Sequence, residues 1–337
     1  MAEYNPKNML VTGGAGFIGS NFIRYMLKKY SDIRMINLDK LTYAGSKANL
    51  VGLPITADYV FIQGDICNSS LVASILEQYS IDTIVHFAAE SHVDRSIEGP
   101  GEFVQTNITG TFTLLEAARE YWGQSRNLVS NKCRFHHIST DEVFGSLENH
   151  GPAFSETTAY APNSPYSATK AVSDYLVRAW HRTYGLPVTI SHCSNNYGPY
   201  QHSEKFIPTV VRACLNQTDI PVYGDGTNIR DWLYVEDHCS AVDTLVRRGI
   251  VGQAYNIGGL NEWSNIHICQ LICDLMDQQL PSNAPHRRLI QFVADRPGHD
   301  WRYAIDASKL VEQLGWSPQQ TFQTGITATL DWMMQAR

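Results

Sequence analysis

The sequence predicts an α/β fold, a doubly wound parallel sheet with a smaller C-terminal lobe. Three observations predict it. Strand-like and helix-like segments alternate through the first 195 residues, and such alternation builds parallel βαβ units with right-handed crossovers. The strand-like runs are short and continuously apolar, as in strands buried on both faces. Past residue 195 the texture changes, with Gly, Pro and Asn dense at 195–201 and 221–228. The chain therefore divides into a wound-sheet domain over 1–195 and a lobe over 196–337, with an interleaved boundary.

The elements follow in order. Residues 8–12 read as a strand, 20–30 as a helix, 34–39 and 59–64 as strands. A helix over 68–79 precedes a strand over 83–89, and 104–122 has the periodicity of one long helix. Residues 134–139 form a strand, 168–184 a helix and 187–191 a strand. The segment 124–132 reads as an exposed loop. In the second half, short helices are expected at 205–216, 235–247 and 265–278.

Composition narrows the function classes. A net charge of -7 over 337 residues lacks the basic face that nucleic-acid binding requires. No apolar run approaches the length of a membrane-spanning helix, and residues 1–8 lack the apolar core of a signal peptide. Seven scattered cysteines, without metal or redox spacing, read as buried free thiols of a reducing cytoplasm. Cys269 and Cys273 suit one helix face, and His136 and His137 fall on a strand. No metal site is expected.

The first strand runs into Thr12-Gly13-Gly14-Ala15-Gly16-Phe17-Ile18-Gly19. Gly13 allows a tight turn, Gly16 lets a pyrophosphate approach the backbone, and Gly19 allows close helix packing. Asp39 ends the second strand twenty residues after Gly19, where a carboxylate bonds both ribose hydroxyls and repels a 2′-phosphate. The setting is Rossmann-like, and the cofactor expected is NAD. Asp65 and Ile66 close the third strand, where the acid reaches the adenine amino group. Phe87, Ala88 and Ala89 close the fourth, where small residues admit the cofactor. Ligands of such sheets bind outside these carboxyl ends.

Tyr166 and Lys170 are four apart on one helix face. An ammonium beside the phenol favours phenolate. Such a phenol can take a proton from a substrate hydroxyl while hydride leaves the same carbon.

Together, TGGAGFIG at 12–19 and YSATK at 166–170 resemble the extended short-chain dehydrogenase/reductase superfamily over nearly the whole chain. The run Ser139-Thr140-Asp141-Glu142-Val143-Phe144-Gly145 is similar to the STDEVYG motif of dTDP-glucose 4,6-dehydratases. That resemblance implies C4 oxidation, C5/C6 elimination and hydride return to C6. It assigns Thr140 to the C4 oxygen, Asp141 as acid and Glu142 as base, beside Tyr166 and Lys170. Burial and the neighbouring carboxylate should keep Asp141 protonated. Around the cofactor the resemblance adds Phe17, Ile18, Lys40, Thr42, Ser91 and Thr106.

Later motifs resemble the same family. Asn195 and Asn196 in SNNYGPYQ are implied to meet substrate and NAD respectively. Lys205 in EKFIP lies near sugar or phosphate, and Ser91 faces the substrate as well. Pro221 and Tyr223 would pass the nucleobase. Arg230 in RDWLYVEDH and Arg296 in DRPGHD would hold the diphosphate with paired, charge-assisted bonds. Asn265, His299 and Tyr303 complete the implied substrate set. Phe144 departs from the family's usual Tyr, and His202-Ser203 from its usual Phe-Pro. The resemblance also implies a homodimer through the helices at 104–122 and 168–184. A nucleotide-sugar 4-epimerase, a UDP- or GDP-sugar 4,6-dehydratase and a non-catalytic NAD sensor stay open.

Overall fold

The computed structural model of the chain describes residues 3–53, 58–124, 132–148, 151–295 and 300–335. In the first half, the strands are β1 (Asn8–Thr12), β2 (Arg34–Asp39), β3 (Tyr59–Gln63), β4 (Thr83–His86), β5 (Arg134–Thr140) and β6 (Val188–Cys193). The second half adds β7 (Asn195–Tyr197), β8 (Ile220–Tyr223), β9 (Ile229–Tyr234), β10 (Ala254–Ile257), β11 (Glu262–Ser264) and β12 (Ile290–Val293). Interspersed are α1 (Phe17–Lys29), α2 (Ser69–Gln78), α3 (Val93–Glu98), α4 (Pro100–Phe103), α5 (Thr111–Gln124) and α6 (Pro165–Tyr184). They are followed by α7 (Phe206–Asn216), α8 (Val235–Arg248), α9 (Asn265–Gln279), α10 (Ser308–Leu314) and α11 (Phe322–Gln335).

Seven strands form one parallel sheet in the order β3-β2-β1-β4-β5-β6-β10. The order reverses between β1 and β4, the switch point where ligands of such sheets bind. Both faces are covered. Phe22, Ile23 and Met26 of α1 share one apolar cluster with Val242, Leu245 and Val246 of α8 and Leu310 of α10. On the other face, Val72 and Ile75 of α2 cluster with Leu114, Leu115 and Trp122 of α5 and Val177 of α6. Strands sandwiched this way cannot alternate polar and apolar residues, which is why they read as unbroken apolar runs.

The second half does not stay apart. Strand β10 pairs with β6 as the last strand of the main sheet, and α8 covers its face. The lobe proper has its own core, built from α7, α9, α11 and β9 around Tyr197, Ile207, Trp232, Cys273 and Phe322. Cys269 and Cys273 are buried together on α9, and all seven cysteines are free thiols.

The long helix expected at 104–122 is interrupted. Residues Val104–Gly110 are π-helical before α5 begins. The wider turn gives Asn107 a fully buried position. Its amide nitrogen donates to the Glu90 carbonyl at 3.1 Å and to Thr169 Oγ1 at 2.9 Å. Its own carbonyl accepts from Ser173 Oγ at 2.7 Å. The distortion thus clamps α6, the helix of Tyr166 and Lys170. Local π geometry of this kind concentrates at functional sites.

Candidate active site

The carboxyl ends of β1, β2, β4, β5 and β6 open onto one cavity of about 300 Å³. Its floor is the turn from β1 into α1. Gly13 has φ +73° there, and a Cβ on it would lie 2.6 Å from the Ala88 nitrogen. A Cβ on Gly19 would lie 2.3 Å from the Gly13 carbonyl oxygen. Neither position admits a side chain. Helix α1 starts at Gly16 without a side-chain cap, so its first-turn amides are left to a ligand, and an anion is what they favour.

Asp39 is buried at the end of β2. Its Oδ2 accepts from the Ala15 amide at 2.8 Å and its Oδ1 from the Leu41 amide at 2.8 Å. Burial nevertheless pushes its carboxyl above the usual range. Lys40 pairs with Asp65 at 2.9 Å across the next two strand ends. Gly13, Gly16, Phe17, Ile18, Gly19, Asp39, Lys40, Thr42, Asp65, Ile66, Phe87, Ala88, Ala89, Ser91, Thr106 and Asn196 all line the cavity. A glycine turn, an uncapped helix start and a carboxylate one strand over fit a dinucleotide.

The reactive side chains face the same space. β5 delivers Ser139 and Thr140, and a 3-10 turn over Asp141–Phe144 follows. Gly145, at φ +88°, ends that turn. α6 begins at a capping box in which Ser164 and Ser167 bond reciprocally, which fixes where Tyr166 stands. Thr140, Asp141, Glu142, Tyr166, Lys170, Asn195 and Lys205 join the cavity lining.

The electrostatics separate these groups. Burial, then the Glu142 charge and then Asp231, hold the Asp141 carboxyl well above its ordinary value. One Asp141 oxygen is buried with no hydrogen-bond partner. A carboxylic acid, rather than a carboxylate, tolerates that position. Burial, and next Glu142, also hold the Tyr166 phenol well above its ordinary value, against a hydrogen bond with Thr140. The phenol is therefore not lowered by Lys170 in this arrangement. The reason is geometric: Lys170 Nζ donates to the Ile138 carbonyl at 2.7 Å. Burial draws that ammonium down to about 8, against the pull of Asp174.

Comparison with known proteins fits this geometry. The family described as GDP-mannose 4,6 dehydratase matches residues 10–329. The dTDP-glucose 4,6-dehydratase of Xanthomonas campestris pv. campestris (strain B100) is 54% identical over 96% of this chain and 92% of its own length. dTDP-glucose 4,6-dehydratase 1 of Escherichia coli (strain K12) is 53% identical over 97% of this chain and 92% of its own. The chain belongs to the dTDP-glucose 4,6-dehydratase family. Among solved structures, the Streptomyces venezuelae member, with NAD and TYD bound, matches with a TM-score of 0.89 at 43% identity, covering 98% of each chain. The two family descriptions differ in nucleotide and sugar and agree on 4,6-dehydration.

The remaining residues drawn from the family pattern stand further out. Pro221 and Tyr223 lie on the exposed face of β8, paired in register with Gln291 and Val293 of β12. Asn265 opens α9, and its amide donates to the Asn228 carbonyl. Arg230 is buried, and its guanidinium donates to the carbonyls of Ile229, Asp300 and Trp301 at 2.7, 2.8 and 3.2 Å. It also sits over the Tyr303 ring at 4.3 Å. Arg296 and His299 lie outside the described residues, as does most of the segment 124–132. Sequence reasoning passed over Leu38, Ala44, Gly45, Glu90, Cys193, Ser194 and Gln201, all of which line the cavity, as does His202, noted there only as a departure from the family pattern. Glu90, directly after Phe87-Ala88-Ala89, was the one with a positional signal. Among the described residues no cluster could hold a metal ion, and no helix is long and apolar enough to cross a membrane.

Proposed function

We propose that the chain converts dTDP-glucose to dTDP-4-keto-6-deoxyglucose and water, using NAD. The observation that carries this reading is the placing of Asp141 and Glu142 on the wall that also holds Thr140, Tyr166 and Lys170. An oxidation site alone would need only the last three.

Bound NAD supplies a hydride acceptor at C4 and a hydride donor at C6. Everything else falls to the chain's own side chains. Tyr166, with the Thr140 hydroxyl on the same oxygen, takes the C4 hydroxyl proton. It must be phenolate to do so, a form that burial opposes and that the positive charges of Lys170 and of bound oxidised NAD would favour. The resulting ketone acidifies C5, and Glu142 removes that proton. Asp141, kept protonated by burial and by Glu142, gives its proton to the C6 hydroxyl, which leaves as water. Glu142 returns its proton to C5 when C6 is reduced. The proton held by Tyr166 makes good the one Asp141 gave up, so the site is restored.

Asp39 is assigned to the ribose, Asp65 to the adenine and Asn196 to the NAD side of the cavity. Asn195, Ser91 and Lys205 are assigned to the sugar and phosphates. Pro221 and Tyr223 would carry the base, with Arg230, Arg296, Asn265, His299 and Tyr303 about the diphosphate and sugar. Residues 1–195 then serve the cofactor and chemistry, and 196–337 mainly the substrate. A homodimer through α5 and α6 is supported by exposed Phe112, Val172, Tyr175 and Tyr184 on those helices. Seven free thiols favour a reducing cytoplasm. Incubation with dTDP-glucose tests the reaction. A 4-keto-6-deoxy product is expected, and dTDP-galactose would make the chain an epimerase.

A further inference from the structure

Beneath the cavity lies a polar cluster that the reaction just described does not use. Its centre is Asp174, which has no solvent exposure. Tyr166, Lys170 and Asp174 follow one another at four-residue intervals on α6, so they form a single stripe on one face. Asp174 Oδ2 accepts from Ser139 Oγ at 2.9 Å and from the Tyr160 hydroxyl at 2.9 Å, and lies 3.1 Å from His192 Nε2. Its Oδ1 is 3.3 Å from His137 Nε2.

We propose that Asp174 is a positioning residue for the oxidation step, gripping the end of β5 and serving as the counter-charge that lets Lys170 stay an ammonium in a dry site. The reading rests on the assignment of Tyr166 and Lys170 to oxidation.

The grip follows from strand geometry. His137 and Ser139 are two apart on β5, so both point to the same face, and both meet Asp174. Between them, the Ile138 carbonyl accepts from Lys170. Three successive residues of β5 are therefore held by two successive turns of α6. Thr140, Asp141 and Glu142 come directly after them.

The counter-charge follows from what surrounds Lys170. The titratable groups about it are Tyr166 and Asp174 from its own helix, His86 from β4, His137 from β5 and Cys193 from β6; the Tyr166 phenol is held neutral chiefly by burial. His86 and His137 are held neutral, each chiefly by burial and His137 down to about 4. Burial pushes the Cys193 thiol up to about 12. Asp174 is left as the anion. The imidazoles of His137, 3.3 Å away, and of His192, bonded at 3.1 Å, hold it ionised in spite of burial. A buried carboxylate with this many donors is unusual for mere packing, because an apolar side chain would fill the space at lower cost.

The test is the titration of Lys170 itself, read as its reactivity toward a small acid anhydride by mass spectrometry across pH, in the full chain. Asp174→Asn is expected to move the midpoint down by about one pH unit. The alkaline limb of kcat should move with it, while KM for the sugar nucleotide stays put. Tyr160→Phe removes one donor and keeps the carboxylate, so it should lower the melting temperature and leave the midpoint in place. Asp174→Glu should restore part of the shift. Should Asp174→Asn fail to fold, Asp174→Ser removes the same charge and leaves room for water. A midpoint unmoved by either neutral variant overturns the proposal and leaves Asp174 a structural residue. Loss of dehydration in the parent with an intact Lys170 titration would instead overturn the assigned function.

Discussion

Two parts of the cavity wall are built in opposite ways. Tyr166 and Lys170 stand on a 20-residue helix whose start is capped on both sides and whose flank is clamped by Asn107. Their polar atoms have partners inside the protein: Lys170 on the Ile138 carbonyl, Tyr166 on Thr140. Asp141 and Glu142 stand on a single 3-10 turn, and one Asp141 oxygen is buried without any partner. The half assigned to oxidation is thus preassembled. In the half assigned to elimination, one Asp141 oxygen is left for a ligand to meet. Reactions that share the first step can share the first half, and on the proposed assignment the short turn after β5 is where the outcome is decided.

Breaking the rigid half should cost the most. Tyr166→Phe removes the group assigned to take the C4 proton, and general acid-base groups of this kind contribute about 10²–10⁴-fold. Turnover of dTDP-glucose should fall by at least about 10³-fold, and no NADH absorbance should develop in a single turnover. The second break is milder in rate and different in kind. Glu142→Gln leaves oxidation intact and blocks C5 proton removal. Turnover should fall by about 10²–10³-fold, with a standing NADH absorbance and no solvent deuterium entering C5. If NADH fails to appear in both variants, the two halves are not separable as argued. Thr140→Val tests the seam between them. It deletes one hydrogen bond to the reacting oxygen, and a loss of about 10–100-fold in kcat is expected.

Much of this was legible in the sequence because it is local. The glycine turn, the Tyr166–Lys170 spacing and the Thr140-Asp141-Glu142 run are each short contiguous stretches, whose meaning comes from spacing and strand ends; the capped start of α6 at Ser164, ahead of the helix expected at 168–184, was missed. What else escaped was assembled from distance. The π-helical stretch at Val104–Gly110 depends on Asn107 meeting Glu90 and Thr169, which no periodicity records. The boundary near residue 195 was expected to be interleaved, but the joining of strand β10 to the main sheet once α8 returns to it was not expected. Nothing in the spacing of the helix at 168–184 announces that Ser139, Tyr160 and His192 converge on Asp174. Arg230 looked like a free guanidinium for phosphate, and the fold gives it three backbone carbonyls.

The smallest effect expected is also the one that separates function from stability. Burial, Glu142 and Asp231 raise the folded-state pKa of Asp141. Below the ordinary aspartate value of about 4, folded and unfolded chains both hold this proton, and the group costs nothing. As pH rises past that value the unfolded chain releases its proton and the folded chain keeps it, so stability is lost progressively until the raised folded value is passed. Asparagine cannot ionise in either state and escapes that loss. Asp141→Asn should therefore match the parent's melting temperature near pH 4 and exceed it by about 2 °C or more at neutral pH, while losing elimination. A variant that is no more stable at neutral pH than at acid pH, relative to the parent, would mean that Asp141 is ionised in the folded chain and cannot be the proton donor to the leaving hydroxyl. A gain would place the cost of the unpaired acid where the eliminating half needs it, at the one group of the turn that the protein leaves unsatisfied.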